Sequence, residues 1–278
     1  MYASPFIDET FDIYNCQNYT LSIQCALDGF SFSILDTVVN KFIVLSEFEI
    51  NTATPFELKN EIIALISKEP MLQQKFKRVK VCFLTREITL VPLSLFNSDE
   101  INTFFKLNFE ENRSNELISC ITNNQFILIS PIPGIIKVLF ENQFTNCQFY
   151  TPVSPLFYSA NQLKINQNRM LVSIYQHSMF LIYQKGQDTE LMNSFFVKNE
   201  ADCLYYLLNI NKQLMGDSKT EVLLSGKIKP KSELESILKK YFEKVHFAHI
   251  NNQYSLSYTF HKEPEHYHLP TLELALCE

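Results

Sequence analysis

An alternating segment near the start of the chain recurs about 149 residues later, and this repeat narrows the possible folds more than any other feature. Leu21, Ile23, Cys25 and Leu27 alternate with Ser22, Gln24 and Ala26, the pair Asp28-Gly29 follows, and Phe30, Phe32 and Ile34 then alternate with Ser31 and Ser33. Two period-two runs about an Asp-Gly pair predict an antiparallel hairpin with a type I′ turn. Downstream, Met170, Val172 and Ile174 alternate, Gln176-His177-Ser178 makes a turn, and Met179, Leu181 and Tyr183 alternate again. The overlay pairs Leu21 with Met170, Ile23 with Val172, Cys25 with Ile174, Phe30 with Met179, Phe32 with Leu181 and Ile34 with Tyr183.

The flanking order repeats as well. After the first hairpin come a strand near Lys41 to Phe48, a helix and a strand from Val79 to Leu84. The helix opens with Thr54 as N-cap, Pro55 as first residue and Glu57 closing a capping box, and it carries Leu58, Ile62, Leu65 and Ile66 on one face. After the second hairpin come a strand near Asn193 to Val197, a helix capped by Asn199 with Cys203, Leu207, Ile210 and Leu214 on one face, and a strand from Glu221 to Leu224. A further capping box, Ser232 with Glu235, starts a last amphipathic helix. Between the copies the pattern predicts a strand over Gln125 to Ile129, a helix over Pro131 to Phe144, a strand over Gln148 to Tyr150 and a helix over Ser154 to Leu163. The reading is a duplicated α/β chain: residues 1–163 form one half, with an inserted subdomain near 115–150, and residues 164–278 form the other.

Composition excludes several classes. At 46 % apolar, with 24 Phe, the chain buries a sizeable core and is not disordered. A net charge of −6 argues against a nucleic-acid partner, which needs clustered cations. One small basic cluster, Lys75, Lys77, Arg78 and Lys80, reads as a solvated turn after a helix. The seven cysteines form no C-x-x-C pair, so free thiols in a reducing cytoplasm are expected. The first residues lack the basic start and apolar run of a signal peptide, and the uncharged stretch Leu117 to Ile136 is broken by Pro131 and Pro133, so no membrane span is expected.

A three-strand meander, then helix and strand, repeated, resembles the actin-like ATPase superfamily, whose halves have the ribonuclease H-like fold. The intervening strand-helix-strand-helix looks like the extra subdomain of FtsA and of the pilus assembly protein PilM. More closely, Leu21-Ser-Ile-Gln-Cys-Ala-Leu-Asp-Gly-Phe-Ser-Phe-Ser-Ile-Leu-Asp, the segment Leu224-Ser225-Gly226-Lys227-Ile228 and the ending Leu276-Cys277-Glu278 resemble a bacterial (Bacteroidetes) family known as domain of unknown function 3822. That resemblance covers nearly the whole chain and implies an actin-like fold without naming an activity.

In actin-like ATPases three glycine-bearing loops hold ATP and magnesium. The resemblance puts the first at Asp28, Gly29 and Ser31, where an Asp would position metal and water and Gly would admit phosphate. The second falls on Gln176-His177-Ser178, which has neither acid nor glycine. The third falls on Gly226, where the family's paired glycines are reduced to one. Only five glycines occur in the chain, so a degenerate, pseudo-ATPase site without cofactor is expected, with ATP or ADP plus magnesium as the alternative. Relatives such as PilM and FtsA work by docking partners. The implied function is therefore a non-catalytic scaffold for an unidentified protein partner, the alternative being a nucleotide-binding switch with weak or no hydrolysis.

Other chemistry is thin. No P-loop, nucleophile elbow or H-E-x-x-H motif occurs. His261, His266 and His268, with Glu263 and Glu265, could gather a metal if folding brought a further ligand, but Pro264 and the position near the end of the chain predict an exposed loop. No residue is assigned a catalytic role.

Overall fold

The computed structural model describes residues 5–122, 125–162 and 167–277. Asn123, Asn124, Glu278 and the expected boundary at Leu163 lie outside the described residues. In chain order the first half comprises β1 (Phe6–Ile7), β2 (Tyr19–Ala26), β3 (Gly29–Asp36), β4 (Lys41–Glu49), α1 (Pro55–Lys68) and β5 (Arg78–Phe83). It continues with β6 (Thr89–Pro92), α2 (Ile101–Lys106), β7 (Asn115–Thr122), β8 (Phe126–Pro133), α3 (Gly134–Gln143), β9 (Cys147–Tyr150) and α4 (Ser154–Gln162). The second half comprises β10 (Asn168–Tyr175), β11 (Ser178–Lys185), β12 (Asp188–Phe196), α5 (Glu200–Gln213), β13 (Glu221–Gly226), α6 (Glu233–Tyr241) and β14 (Val245–Phe247), and β15 (Ser255–Leu256) and α7 (Leu269–Leu274) follow.

The duplication is written in the strand order. One sheet runs β1-β4-β3-β2-β5-β9 with β15 also on β4; the other runs β12-β11-β10-β13-β14. Without the two short edge strands, both read third, second, first, fourth, fifth, with the meander antiparallel and the last pairings parallel. The overlaid residues occupy matching cores. Leu21, Ile23, Cys25, Phe30, Phe32 and Ile34 pack under α1 and α3 residues such as Ile62 and Phe140, while Met170, Val172, Ile174, Met179, Leu181 and Tyr183 pack under α5 and α6. Burial of these alternate positions is the main driving force for each sheet to pair in this register. The N-cap bonds form as expected, Glu57 N–H donating to Thr54 Oγ1 at 3.2 Å and Glu235 N–H to Ser232 Oγ at 3.3 Å, while the return arm of each box reaches one residue further back, Glu57 Oε2 accepting from Ala53 N–H at 2.8 Å and Glu235 Oε2 from Lys231 N–H at 2.6 Å.

Four features depart from the sequence reading. The first hairpin is not a type I′ turn about Asp28-Gly29: Ala26 pairs with Gly29, Leu27-Asp28 is the loop, and Gly29 is a strand residue without positive φ. Second, β8 runs through Pro131 to Pro133, and the helix starts at Gly134 instead of Pro131. The prolines are tolerated because β6 pairs with β8 only from Phe126 to Ile129, which leaves the Pro end with a partner on one side. Third, β6, β7 and β8 make a separate sheet, whereas β9 pairs with β5 in the first half's own sheet, so the separate sheet takes in Asn115 to Pro133 of the expected span near 115–150 and adds β6 upstream of it. Finally, the chain returns to the first sheet after β14: β15 pairs with β4, and Leu269, Leu272 and Leu276 pack on Leu35, Phe42 and Leu45. That return also explains Lys80, which is buried, not solvated. Its Nζ donates to the Ala275 carbonyl at 2.9 Å and to the Cys277 carbonyl, placing a cation at the C-terminal end of α7.

Candidate functional site

The two hairpin turns, which alternation and register fix at corresponding ends of their sheets, meet face to face. Tyr175, the last residue of β10, brings its hydroxyl against Gly29: a Cβ built there would lie 2.1 Å from Tyr175 Oη. Glycine is therefore required at position 29 for close approach of a side chain from the other half. Gln176 Nε2 donates to the Asp28 carbonyl at 3.5 Å, a long bond linking the turns directly. Burial pushes the Asp28 carboxyl above its ordinary range, with the nearby His177 opposing.

Gly226 ends β13 in the left-handed region, φ +84°, and a Cβ there would meet the Ile174 carbonyl oxygen at 2.1 Å and its carbon at 2.9 Å. The close approach is to the backbone of β10. The next residue, Lys227, reaches across to the first half, its Nζ 2.5 Å from Glu47 Oε2 on β4. Ser31 Oγ lies 3.1 Å from Thr271 Oγ1 of α7, and Thr271 Oγ1 also donates to Gln24 Oε1 at 2.8 Å. Asp28, Gly29, Ser31 and Gly226 thus come to one region, each already engaged by another part of the chain. The space left between Ser31, Ser173, Gly226 and Thr271 is about 20 Å³, room for about one water and far below the roughly 300–1,000 Å³ of a small-molecule site.

Adjoining it, with Tyr175, Glu47, Lys227 and His268 in common, a cleft of about 520 Å³ opens, lined also by Asp28, Gly29, Gln176, Glu49 and Glu263. Here the C-terminal histidines part company. His261 is exposed, while His266 and His268 are buried, so the expected exposed loop is wrong for two of the three. His266 Nε2 lies 2.8 Å from the Ile228 carbonyl and the ring stacks on Phe247 at 3.9 Å between centroids, a packed position that belongs to no cluster of three metal-ligating side chains among the described residues. The segment folds inward because its apolar neighbours, Phe260 and Leu269, join the core on β4. His268 Nε2 sits 2.5 Å from Glu263 Oε2, and Nδ1 is 3.8 Å from Glu47 Oε2. Burial holds the His268 imidazole below its ordinary pKa, and the Lys227 charge acts the same way. Sequence reasoning missed Glu47, Lys227 and Tyr175. The available signals were a charge inside the apolar run of β4, a charge directly after Gly226, and an aromatic residue just before the turn at Gln176-His177.

The cysteines are free thiols, six buried and Cys147 half-buried. Burial pushes Cys16, Cys120 and Cys203 up to about 11, so none of these is poised as a nucleophile. No helix among the described residues is long and apolar enough to cross a membrane.

Two sheets of one strand order, packed through α4 and α7 with their first hairpins opposed, define the actin-like ATPase fold. Solved structures agree. A Bacteroides thetaiotaomicron protein with actin-like ATPase fold and unknown function superposes with a TM-score of 0.79 at 24 % identity, covering 97 % of this chain and 100 % of that one. The PilM-PilN type IV pilus biogenesis complex gives 0.61 at 10 % identity, covering 92 % and 97 %. The chain belongs to the family described as Protein of unknown function (DUF3822), whose model matches residues 8–245. No curated protein matches the sequence.

Proposed function

We propose that this protein is a non-catalytic scaffold of actin-like fold that acts by holding a protein partner, and that it does not hydrolyse ATP. One observation carries the reading: the Tyr175 hydroxyl packs on Gly29 where the opposed turns of an ATPase would need room for phosphates. The Gln176–Asp28 contact and the roughly 20 Å³ left beside Gly226 support it, as do the missing acid and glycine in the second turn. In one similar structure PilM is assembled with PilN, so this fold serves partner binding elsewhere. Seven unpaired thiols favour a cytoplasmic setting.

A recess of about 570 Å³ beside Ile228, lined by Lys198, Asn199, Glu200 and Lys229, favours a second reading, a switch that takes a nucleotide from that side without turnover. A thermal-shift titration with ATP and ADP, with and without magnesium, separates the two. A ligand that binds only the native state raises the melting temperature as its concentration passes Kd. The scaffold reading expects no shift at millimolar nucleotide. A dose-dependent, magnesium-dependent rise would overturn it in favour of the switch.

A further inference from the structure

The cleft beside Tyr175 carries the wrong charge for a phosphate and a suitable set of donors for a cation. Asp28, Glu47, Glu49 and Glu263 line it against Lys227 and His268. Within it, one ligand atom from each of Glu47, Glu263 and His268 lies within 4.8 Å of the others. The three come from separated positions in the chain: Glu47 from β4, Glu263 and His268 from the segment that folds back onto the first sheet. The imidazole is 6 % exposed. The place already attracts a cation. Lys227 Nζ stands 2.5 Å from Glu47 Oε2 and 5.3 Å from the centre of the Tyr267 ring. One ammonium against two carboxylates leaves the cluster negative.

We propose that Glu47, Glu263 and His268 form a binding site for a divalent transition-metal ion of the zinc class, for which the Lys227 ammonium is the competing occupant. One imidazole with two carboxylates suits zinc, manganese or cobalt better than magnesium or calcium, which prefer all-oxygen shells. Three protein ligands leave a position open toward the cleft for water or a side chain of another molecule. Loading takes the place of the His268–Glu263 contact and frees Lys227 from Glu47. Because Lys227 follows β13 and Glu47 sits on β4, the ion replaces a contact between the halves with a bond set held by the first half and the returning segment. None of the three ligands is a residue of the nucleotide loops, although Asp28, Gly29 and Gln176 line the same cleft, and the proposal does not depend on the scaffold reading.

The test is isothermal titration of the chelator-treated full chain with zinc, manganese and magnesium chlorides, comparing wild type with H268A, E47Q, E263Q and K227M. Glu263 is exposed, so E263Q tests the site even if H268A folds poorly. The expected result is one zinc ion per chain, no magnesium binding, and affinity at least about tenfold weaker in E263Q, E47Q and H268A. K227M binds more tightly, because it removes the competitor. Zinc bound equally well by wild type, E47Q and E263Q would show adventitious binding, at His261 or His249 for example, and would overturn the proposal. Weaker binding in K227M would overturn the role given to Lys227.

Discussion

The contact between Gly29 and Tyr175 makes a sharp prediction about stability. A Cβ at position 29 would lie 2.1 Å from Tyr175 Oη, well inside contact distance, but 3.4 Å from the ring carbon behind it, an ordinary separation. Gly29 lacks positive φ, so alanine meets no backbone strain. Gly29→Ala should therefore cost about 1–3 kcal/mol by overpacking. In a Tyr175→Phe background the clashing atom is gone, and alanine in a strand is favoured over glycine by roughly 0.5–1 kcal/mol, so the same substitution should be neutral or slightly stabilising. The double-mutant cycle should then show a coupling of about 1–4 kcal/mol, measured from urea denaturation of wild type, both single variants and the double. An equal cost for Gly29→Ala in both backgrounds would mean that the hydroxyl does not sit on Gly29, and the sealing of the turns would fall with it.

Other predictions follow from neighbouring features. Gly226→Ala should destabilise by more than about 3 kcal/mol and resist rescue by substitution at Ile174, because the obstruction is backbone and φ is +84°; expression and melting temperature check this. Burial pushes the Glu273 carboxyl up to about 8, so the folded state holds a proton that the unfolded chain gives up near pH 4.5. Its contribution is therefore full below pH 4.5 and is lost as pH rises to about 8, at up to about 1.4 kcal/mol per pH unit. Glu273→Gln, which keeps an acceptor for the Ser159 hydroxyl, should flatten that dependence in urea midpoints measured at pH 5 and pH 8; an unchanged slope would refute it. Thr54→Ala, which removes the N-cap of α1, should cost about 1 kcal/mol in the same assay.

What could be read from the sequence was whatever repeats locally. Alternation at Leu21 to Ile34 and Met170 to Tyr183 gave both hairpins and the face each strand presents to its core, but not their registers: the loops close one residue earlier than expected, pairing Ala26 with Gly29 and Tyr175 with Ser178. Thr54, Asn199 and Ser232 marked three helix starts because each cap bonds within four residues. Contacts between distant segments left no such trace. Gly29 looked like a turn glycine because its reason, Tyr175, is supplied by the other half. Lys80 looked solvated because its carbonyl partners arrive from the far end of the chain. The histidines looked like one exposed group, yet apolar neighbours drew His266 and His268 into different environments and brought Glu47 to His268. Asp28, Gly29, Ser31 and Gly226, which the resemblance assigned to nucleotide loops, do come to one region, and what packs on them is visible only in three dimensions.

A crystal structure of the protein grown with magnesium and a millimolar non-hydrolysable ATP analogue tests the central claim most directly. The account predicts Tyr175 against Gly29, Gln176 on the Asp28 carbonyl and no phosphate between the turns. Density for a triphosphate between Asp28-Gly29 and Gln176-His177, with Tyr175 swung away, would contradict it.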